Sequence, residues 1–139
     1  MMILKTIEKA FSSYKAKGWE YTFWAIDIHD TIFKSTYSAE FKTEEYYPFA
    51  KETLQLLTQR DDVKLILFTC SHSNEIKSYL TQFESDGIHF DYINGNPEVV
   101  TDMSGYGNYD KKFYINVGLD DKFGFEPSDW KIIFDFLKK

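Results

Sequence analysis

The spacing of apolar residues along the chain predicts four helices. In each of them, apolar side chains recur every three or four positions and form one stripe that can face a core. The stripe of the last helix, for example, runs from Trp130 to Leu137. The predicted helices cover residues 4–17, 48–59, 74–84 and a last segment that opens at Pro127 and Ser128.

Turn-forming and capping residues support these limits. Gly18 is a stop signal for the first helix, and Pro48 stands where the second helix would begin. Ser71 or Ser73 can cap the third helix, and Gly87 ends it. We therefore expect each helix to end close to its apolar stripe.

Short runs of apolar, β-branched and aromatic residues lie between the helices and predict buried strands. The first run, YTFWAIDI, is apolar on both faces and contains Asp27 near its end. Residues 34–47 and 98–111 show no clear period and are predicted to be loops. The predicted strands cover residues 21–28, 63–69, 88–93 and 112–119.

The alternation of strands and helices predicts an α/β fold. Such an order is typical of a mostly parallel sheet covered on both faces, that is, a three-layer α/β/α Rossmann-like fold. We expect a single domain over residues 1–139, with a helix in residues 1–20 packed on the core. Residues 34–47 are a short excursion in place of a cap, because the chain between the strands is too short for a large cap domain.

Composition and charge narrow the class of protein. Hydrophobic residues make up 43% of the 139 positions, which suffices for a packed core without disulfides or a structural metal. The net charge of −6 argues against general nucleic-acid binding, which usually needs a basic face. The single cysteine, Cys70, and the lack of a long apolar run predict a cytoplasmic protein with no membrane partner. We expect Cys70 to pack inward as a small apolar group.

Polar residues of specific chemistry accompany three of the predicted strands. The first strand leads into Asp27, the second ends at Thr69, and the fourth runs from Lys112 to the pair Asp120 and Asp121. A parallel sheet brings the carboxyl ends of its strands to one edge, where its ligands bind. Carboxylates within about 5 Å of one another repel unless a cation lies between them, and Mg²⁺ prefers carboxylate, water and phosphate oxygens. Because a lysine and a hydroxyl can hold further phosphoryl oxygens, the set predicts phosphoryl chemistry with Mg²⁺.

These motifs resemble, in order and rough spacing, those of the haloacid-dehalogenase-type (HAD) phosphohydrolases of the small, cap-less kind. The first motif of that family, Asp-x-Asp-x-Thr/Val after a strand, is similar to DIHDT at residues 27–31. The second, an apolar strand that ends in Thr or Ser, is similar to LILFT at Thr69. The third is a lysine shortly before the fourth motif, where Lys112 fits better than Lys111. The fourth, an apolar strand that ends in paired aspartates, is similar to VGLDD, so the resemblance spans roughly residues 21–137.

The resemblance implies a HAD-like fold and a Mg²⁺-dependent phosphatase that forms an aspartyl-phosphate on Asp27. Thr69 and Lys112 would hold the phosphoryl group, assisted by backbone N–H groups that follow Asp27 and Thr69. The implied metal ligands are Asp27, the backbone carbonyl of His29, and Asp120 or Asp121.

The chain departs from the family pattern at His29, where the family has a second aspartate that usually serves as the general acid/base. The metal role of this position uses the backbone carbonyl and therefore survives any side chain. A histidine is chemically competent to protonate a leaving oxygen. Asp30, one position later, would substitute only if the loop turned differently. Loss of the usual acid implies slower hydrolysis, a good leaving group, or no turnover.

Two other functions compete with the phosphatase. A degenerate family member would bind a metal or a phosphorylated ligand with little or no turnover, and His29 is the feature that favours it. A receiver domain of a signalling relay also uses Asp, Thr, Lys and Mg²⁺ on a parallel sheet. Its paired acids follow the first strand and its phosphoacceptor follows the third, so the order of motifs here disfavours it.

The absence of a large cap predicts an open site. An open site suits a phosphoprotein, a nucleic-acid end or closure by another subunit, and also a small phosphate ester beneath residues 34–47. The identity of the phosphorylated substrate stays open. Aromatic residues in the two predicted loops favour packing or self-association over stacking on a substrate ring. They are Tyr37, Phe41, Tyr46, Tyr47, Tyr106 and Tyr109.

Overall fold

The computed structural model describes residues 2–34, 45–98, 115–120 and 124–139. The described helices are α1 (Met2–Ala16), α2 (Ala50–Gln59), α3 (Ser73–Ser85) and α4 (Asp129–Leu137). The described strands are β1 (Thr22–Ile26), β2 (Val63–Leu67), β3 (Tyr92–Ile93) and β4 (Val117–Leu119). No helix in these parts of the chain is long and apolar enough to cross a membrane.

The four strands form one sheet in the order β3-β2-β1-β4, and every pair is parallel. β1 occupies an inner position, and its last residue, Ile26, pairs with Leu67 of β2 and Leu119 of β4. The chain order reverses between β1 and β4, which is the switch point where doubly wound sheets bind ligands. The predicted Rossmann-like α/β class with a parallel sheet is confirmed, and the described residues contain no large cap domain.

β1 buries side chains on both faces of the sheet, as its continuous apolar run predicts. Trp24 and Ile26 belong to the larger hydrophobic cluster, to which all four helices contribute. Phe23 and Ala25 alternate with them and belong to a smaller cluster on the opposite face. The partly buried residues that pack against this smaller cluster are Tyr21, Phe68, Tyr92 and Ile115.

The third strand is shorter than the predicted span of residues 88–93. The N–H of Ile88 donates to a backbone carbonyl near the end of α3 at 2.8 Å, and the N–H of His89 donates to a threonine hydroxyl of α2 at 3.1 Å. The carboxylate of Asp91 accepts the N–H of Leu65 at 2.8 Å, where a strand would offer a backbone carbonyl. Helix ends and side chains therefore satisfy these backbone groups, and backbone bonding to β2 begins only at Asp91, whose N–H donates to the carbonyl of Leu65 at 2.8 Å.

The predicted starts of α2 and α3 are also wrong in detail. α2 begins at Ala50, two residues after the proline, because Phe49 has a left-handed φ of 69°. The N-cap of α3 is His72, which makes no side-chain capping hydrogen bond, so neither Ser71 nor Ser73 caps this helix. The hydroxyl of Ser71 instead accepts a hydrogen bond from the threonine that follows β2.

A buried tryptophan ties α4 to the loop that follows β1. The indole Nε1 of Trp130 donates to the backbone carbonyl of Thr31 at 2.7 Å, and both residues are fully buried. The hydroxyl of Thr53 on α2 lies 2.6 Å from the carbonyl of Phe49 and 3.2 Å from that of Trp130. Hydrogen bonds inside the core therefore connect α2, α4 and this loop.

An ion pair lies at the opposite end of the sheet from that loop. The guanidinium of Arg60 binds the carboxylate of Asp62 through two hydrogen bonds of 2.8 and 2.9 Å, and the hydroxyl of Tyr14 on α1 lies 3.3 Å from the same carboxylate. The hydrogen bond from Arg60 holds the pKa of Asp62 below its ordinary value. Burial, and then the charge of Asp62, raise the pKa of Tyr14.

Replacing Trp130 by phenylalanine should lower the free energy of unfolding by about 2–3 kcal/mol. The change leaves the buried carbonyl of Thr31 without its indole donor and opens a small cavity. Chemical denaturation of the purified protein measures this. The matched control is Trp19→Phe at an exposed position, expected within about 0.5 kcal/mol of wild type. Equal effects of the two changes would contradict the proposed connection.

Replacing Asp62 by asparagine should reduce the acid sensitivity of the protein. Because the pKa of Asp62 is lower in the folded than in the unfolded state, its ion pair stabilises above the unfolded value and this stability is lost as pH falls through the folded value. Between about pH 5 and pH 2, wild type should therefore lose more free energy of unfolding than Asp62→Asn. Urea titrations across this range test the difference. Asp61→Asn, at the exposed neighbour, should retain the wild-type dependence.

Candidate functional site

The carboxyl ends of β1, β2 and β4 meet at one edge of the sheet. Ile26 pairs with Leu119, so the next residues, Asp27 and Asp120, follow neighbouring strands at the same level. Neighbouring strands lie about 4.8 Å apart, so the two aspartates leave the sheet side by side. Thr69 lies two residues beyond the end of β2 on the other side of β1. The register thus brings these three predicted site residues together.

A pocket of about 410 Å³ opens at this edge. Four residues predicted for the site line it, namely Asp27, His29, Thr69 and Asp120. The other two, Lys112 and Asp121, lie outside the described residues, as does Lys111. The remaining lining residues lie between the end of β2 and the first turn of α3, and they are Phe68, Cys70, Ser71, His72 and Glu75.

The loop after Asp27 is held by short hydrogen bonds. The backbone N–H of Asp27 donates to the carbonyl of Leu119 at 3.1 Å, and its Oδ1 accepts the N–H of Ile28 at 2.8 Å. The carbonyl of Ile28 accepts the N–H groups of the next turn, at 2.8 Å from Ile32. Asp30 has a φ of 60° in this turn, a left-handed conformation in which glycine and aspartate are tolerated. The side chain of Asp30 is exposed and is absent from the described lining of the pocket.

The two described carboxylates at this edge suit a cation with oxygen ligands. Asp120 is only 4% exposed and Asp27 is partly buried, and both line the pocket, so water screens the repulsion between their charges weakly. The described residues contain no group of three or more His, Cys, Asp or Glu side chains arranged around one point for a metal. Mg²⁺ usually keeps several waters and binds through one or two carboxylates, so Asp27 and Asp120 suffice in number.

Thr69 is held from both sides. Its hydroxyl donates to Ser71 Oγ at 3.0 Å and accepts the N–H of Ser71 at 3.1 Å. Its backbone N–H donates to Oδ1 of Asn94 at 2.8 Å, and Nδ2 of Asn94 donates to its backbone carbonyl at 2.9 Å. The sequence of Asn94, an asparagine before a glycine, indicates only a turn and carries no signal of a contact with a distant loop.

His29 contacts side chains of the α3 segment. Its Nε2 lies 3.4 Å from the hydroxyl of Tyr79 and 3.5 Å from Oγ of Ser71, and its ring packs edge-on against that of Tyr79 with centroids 5.6 Å apart. Tyr79 is buried whereas His29 is exposed, so a fixed ring supports a histidine that can reach solvent in the pocket. These contacts hold the imidazole in the pocket that Asp27 also lines.

The pocket also contains Cys70 and Glu75, which are not among the predicted site residues. Cys70 is exposed and lines the pocket, so the prediction that it packs inward is wrong. The chain turns there towards α3, and the adjacent Thr69 takes the buried position instead. Glu75, in the first turn of α3, adds a third carboxylate to the lining. The described lining contains no lysine or arginine, which increases the need for a cation if a phosphate is to bind.

Comparison with known proteins supports the fold and gives no activity. No protein-family model matches the chain, and no curated protein matches it significantly. A solved structure of a conserved protein from Bacteroides thetaiotaomicron is similar, with a TM-score of 0.62 and 27% sequence identity. The similarity covers 85% of this chain and 90% of that chain. That protein is described only as conserved, so the likeness carries no function.

Cys70 should react with a water-soluble disulfide reagent in the folded protein. As the one cysteine of the chain, it reports on the pocket without ambiguity, and its native rate should lie within about tenfold of the rate in denaturant. Release of the coloured thiolate measures both rates. A thiol that reacts only after unfolding would restore the inward-packed prediction.

Proposed function

We propose that the chain is a HAD-type, Mg²⁺-dependent phosphohydrolase that acts through an aspartyl-phosphate on Asp27. The observation that carries the proposal is the placement of Asp27 and Asp120 after register-paired residues of adjacent parallel strands, with Thr69 in the same pocket. The order of the motifs along the chain supports it independently. Fold likeness alone would carry no activity.

The proposed nucleophile is pre-oriented. Oδ1 of Asp27 accepts a hydrogen bond from the next backbone N–H, which fixes the plane of the carboxylate. A carboxylate oxygen of Asp27 attacks phosphorus, the bond from phosphorus to the leaving oxygen breaks, and that oxygen takes a proton. Water then attacks the phosphorus of the aspartyl-phosphate, which releases inorganic phosphate and regenerates Asp27.

The proposed Mg²⁺ ligands are Asp27, the backbone carbonyl of His29 and Asp120, with Asp121 as a further candidate. Their all-oxygen chemistry fits this cation. When bound, Mg²⁺ neutralises the charge that accumulates on the phosphoryl oxygens. The proposal assigns Thr69 and Lys112 to the remaining phosphoryl oxygens, and the start of α3 beside the pocket adds a favourable field for an anion.

The proposed proton donor to the leaving oxygen is His29. Its ring lines the pocket with Asp27, and contacts with Tyr79 and Ser71 limit its rotation. In the second step the same imidazole accepts a proton from the attacking water, which returns it to its starting state. A family aspartate at this position would do the same work with a carboxyl group.

A binding protein without turnover is the second candidate. The observation that favours it is the engagement of His29 Nε2 with Tyr79 and Ser71, which draws that nitrogen towards α3. Such a protein would bind a metal or a phosphorylated ligand at the same edge of the sheet. A beryllofluoride adduct on Asp27 together with phosphate release excludes this reading.

Hydrolysis of p-nitrophenyl phosphate with Mg²⁺ tests the proposal. Asp27→Asn should lose at least about a hundredfold in kcat, because an amide is a poor nucleophile and lacks the charge that binds the cation. Chelation of Mg²⁺ should abolish wild-type activity. Asp61→Asn, a loss of the same charge at an exposed position on the turn before β2, is the matched control and should retain activity. Equal rates for wild type and Asp27→Asn would refute the mechanism.

A further inference from the structure

The side chain of Asn94 takes the place of the N–H and C=O that a residue of a neighbouring strand would offer to Thr69. Its amide oxygen accepts the backbone N–H of Thr69 at 2.8 Å, and its amide nitrogen donates to the carbonyl of the same residue at 2.9 Å. Pairing of β2 with β3 ends at Leu67 and Ile93. The backbone N–H of Asn94 still donates to the carbonyl of Leu67 at 2.8 Å. The amide therefore extends the sheet beyond its last strand pair.

Asparagine suits this position for two reasons. Asn94 has a left-handed φ of 53°, which asparagine tolerates better than most residues with a Cβ. Its primary amide presents an N–H and a C=O on one side, as a strand residue presents its own N–H and C=O to a neighbouring strand. Rotating the amide by half a turn would set donor against donor and acceptor against acceptor, so the observed orientation is the only one that satisfies both bonds. Glycine would keep the backbone conformation but lose the amide.

The contact determines where the hydroxyl of Thr69 lies. Thr69 is 7% exposed and lines the pocket, whereas Asn94 is absent from the described lining. Both peptide groups that flank the Cα of Thr69 are held by one side chain, and Ser71 holds the hydroxyl itself. A hydroxyl that is fixed before a ligand arrives loses little entropy on binding.

We infer that Asn94 is a positioning residue that holds Thr69 for phosphate binding at the carboxyl edge of the sheet. The inference rests on the phosphate site of the proposed function, and it assigns to Asn94 no contact with the phosphate. Asn94 acts through Thr69, so its removal should matter only while the threonine hydroxyl is present.

A double-mutant cycle in phosphate affinity tests this. Calorimetry with inorganic phosphate and Mg²⁺ is applied to the full chain, to Asn94→Gly, to Thr69→Ala and to the double variant. Thr69→Ala should weaken binding about tenfold, because a hydrogen bond to a charged oxygen is lost. Asn94→Gly should weaken it about fivefold in the wild-type background and less than about twofold in Thr69→Ala. Equal weakening in both backgrounds, or none in either, overturns the inference.

Asn116→Ala is the matched control. The amide oxygen of Asn116 accepts the backbone N–H of Phe23 at 2.7 Å, which is the same kind of bond at the amino end of the sheet. This variant should lose stability comparably and keep its phosphate affinity within about twofold. A loss like that of Asn94→Gly would show a general effect of stability and overturn the inference. If Asn94→Gly does not fold, the cycle is run with Asn94→Asp. A direct effect of the added charge on phosphate affinity would persist in the Thr69→Ala background, whereas a positioning effect would disappear there.

The outcomes separate this inference from the proposed function. Phosphate binding without turnover removes the phosphohydrolase proposal, and the cycle still decides the role of Asn94. Turnover with unchanged phosphate affinity in Asn94→Gly overturns the inference alone. Wild type that binds no inorganic phosphate with Mg²⁺ overturns both.

Discussion

The parallel pairing of β1 with both β2 and β4 determines where the polar residues of the candidate site lie. Because Ile26 pairs with the last residues of both neighbours, the chains that leave these three strands begin at one level. The pairing is maintained by burial, since all five residues of β1 are buried. Fully burying each large apolar side chain contributes about 1.5–3 kcal/mol. The burial of an apolar strand therefore determines the position of the polar residues of the candidate site.

Side chains outside the pocket then fix the loops that the strands lead into. The indole of Trp130 holds the loop after β1 through the carbonyl of Thr31, and the amide of Asn94 holds the loop after β2 through Thr69. Loops carry the reactive groups of such folds, but their backbone polar groups need partners once they are shielded from water. Here the partners come from α4 and from the turn after β3, which are distant in sequence.

The described lining of the candidate site is acidic. Asp27 and Asp120 follow adjacent strands at the switch point, and Glu75 adds a third carboxylate to the pocket, while the described lining has no lysine or arginine. Like charges in a partly buried site cost stability unless a cation or a proton lies between them. In the proposed function, a divalent cation between these carboxylates would offset their repulsion and would attract an anionic ligand. His29, whose ring packs edge-on against Tyr79, adds an imidazole to the same pocket.

Local pattern was enough to predict the elements and the strand ends that carry Asp27, Thr69 and Asp120, because apolar periodicity reports burial and parallel sheets bind ligands at one edge. It could not predict the length of β3, the caps of α2 and α3, or the exposure of Cys70. These depend on which distant group satisfies each backbone N–H, and a side chain such as Asp91 can replace a strand partner. The contact of Asn94 with Thr69 could not be predicted for the same reason, because Asn94 satisfies the backbone of a residue that is distant in sequence. The sequence by itself determined the chemistry available at the sheet edge, whereas only the tertiary structure decided which side chains hold it in place, since hydrogen bonds between distant loops leave no periodic signal.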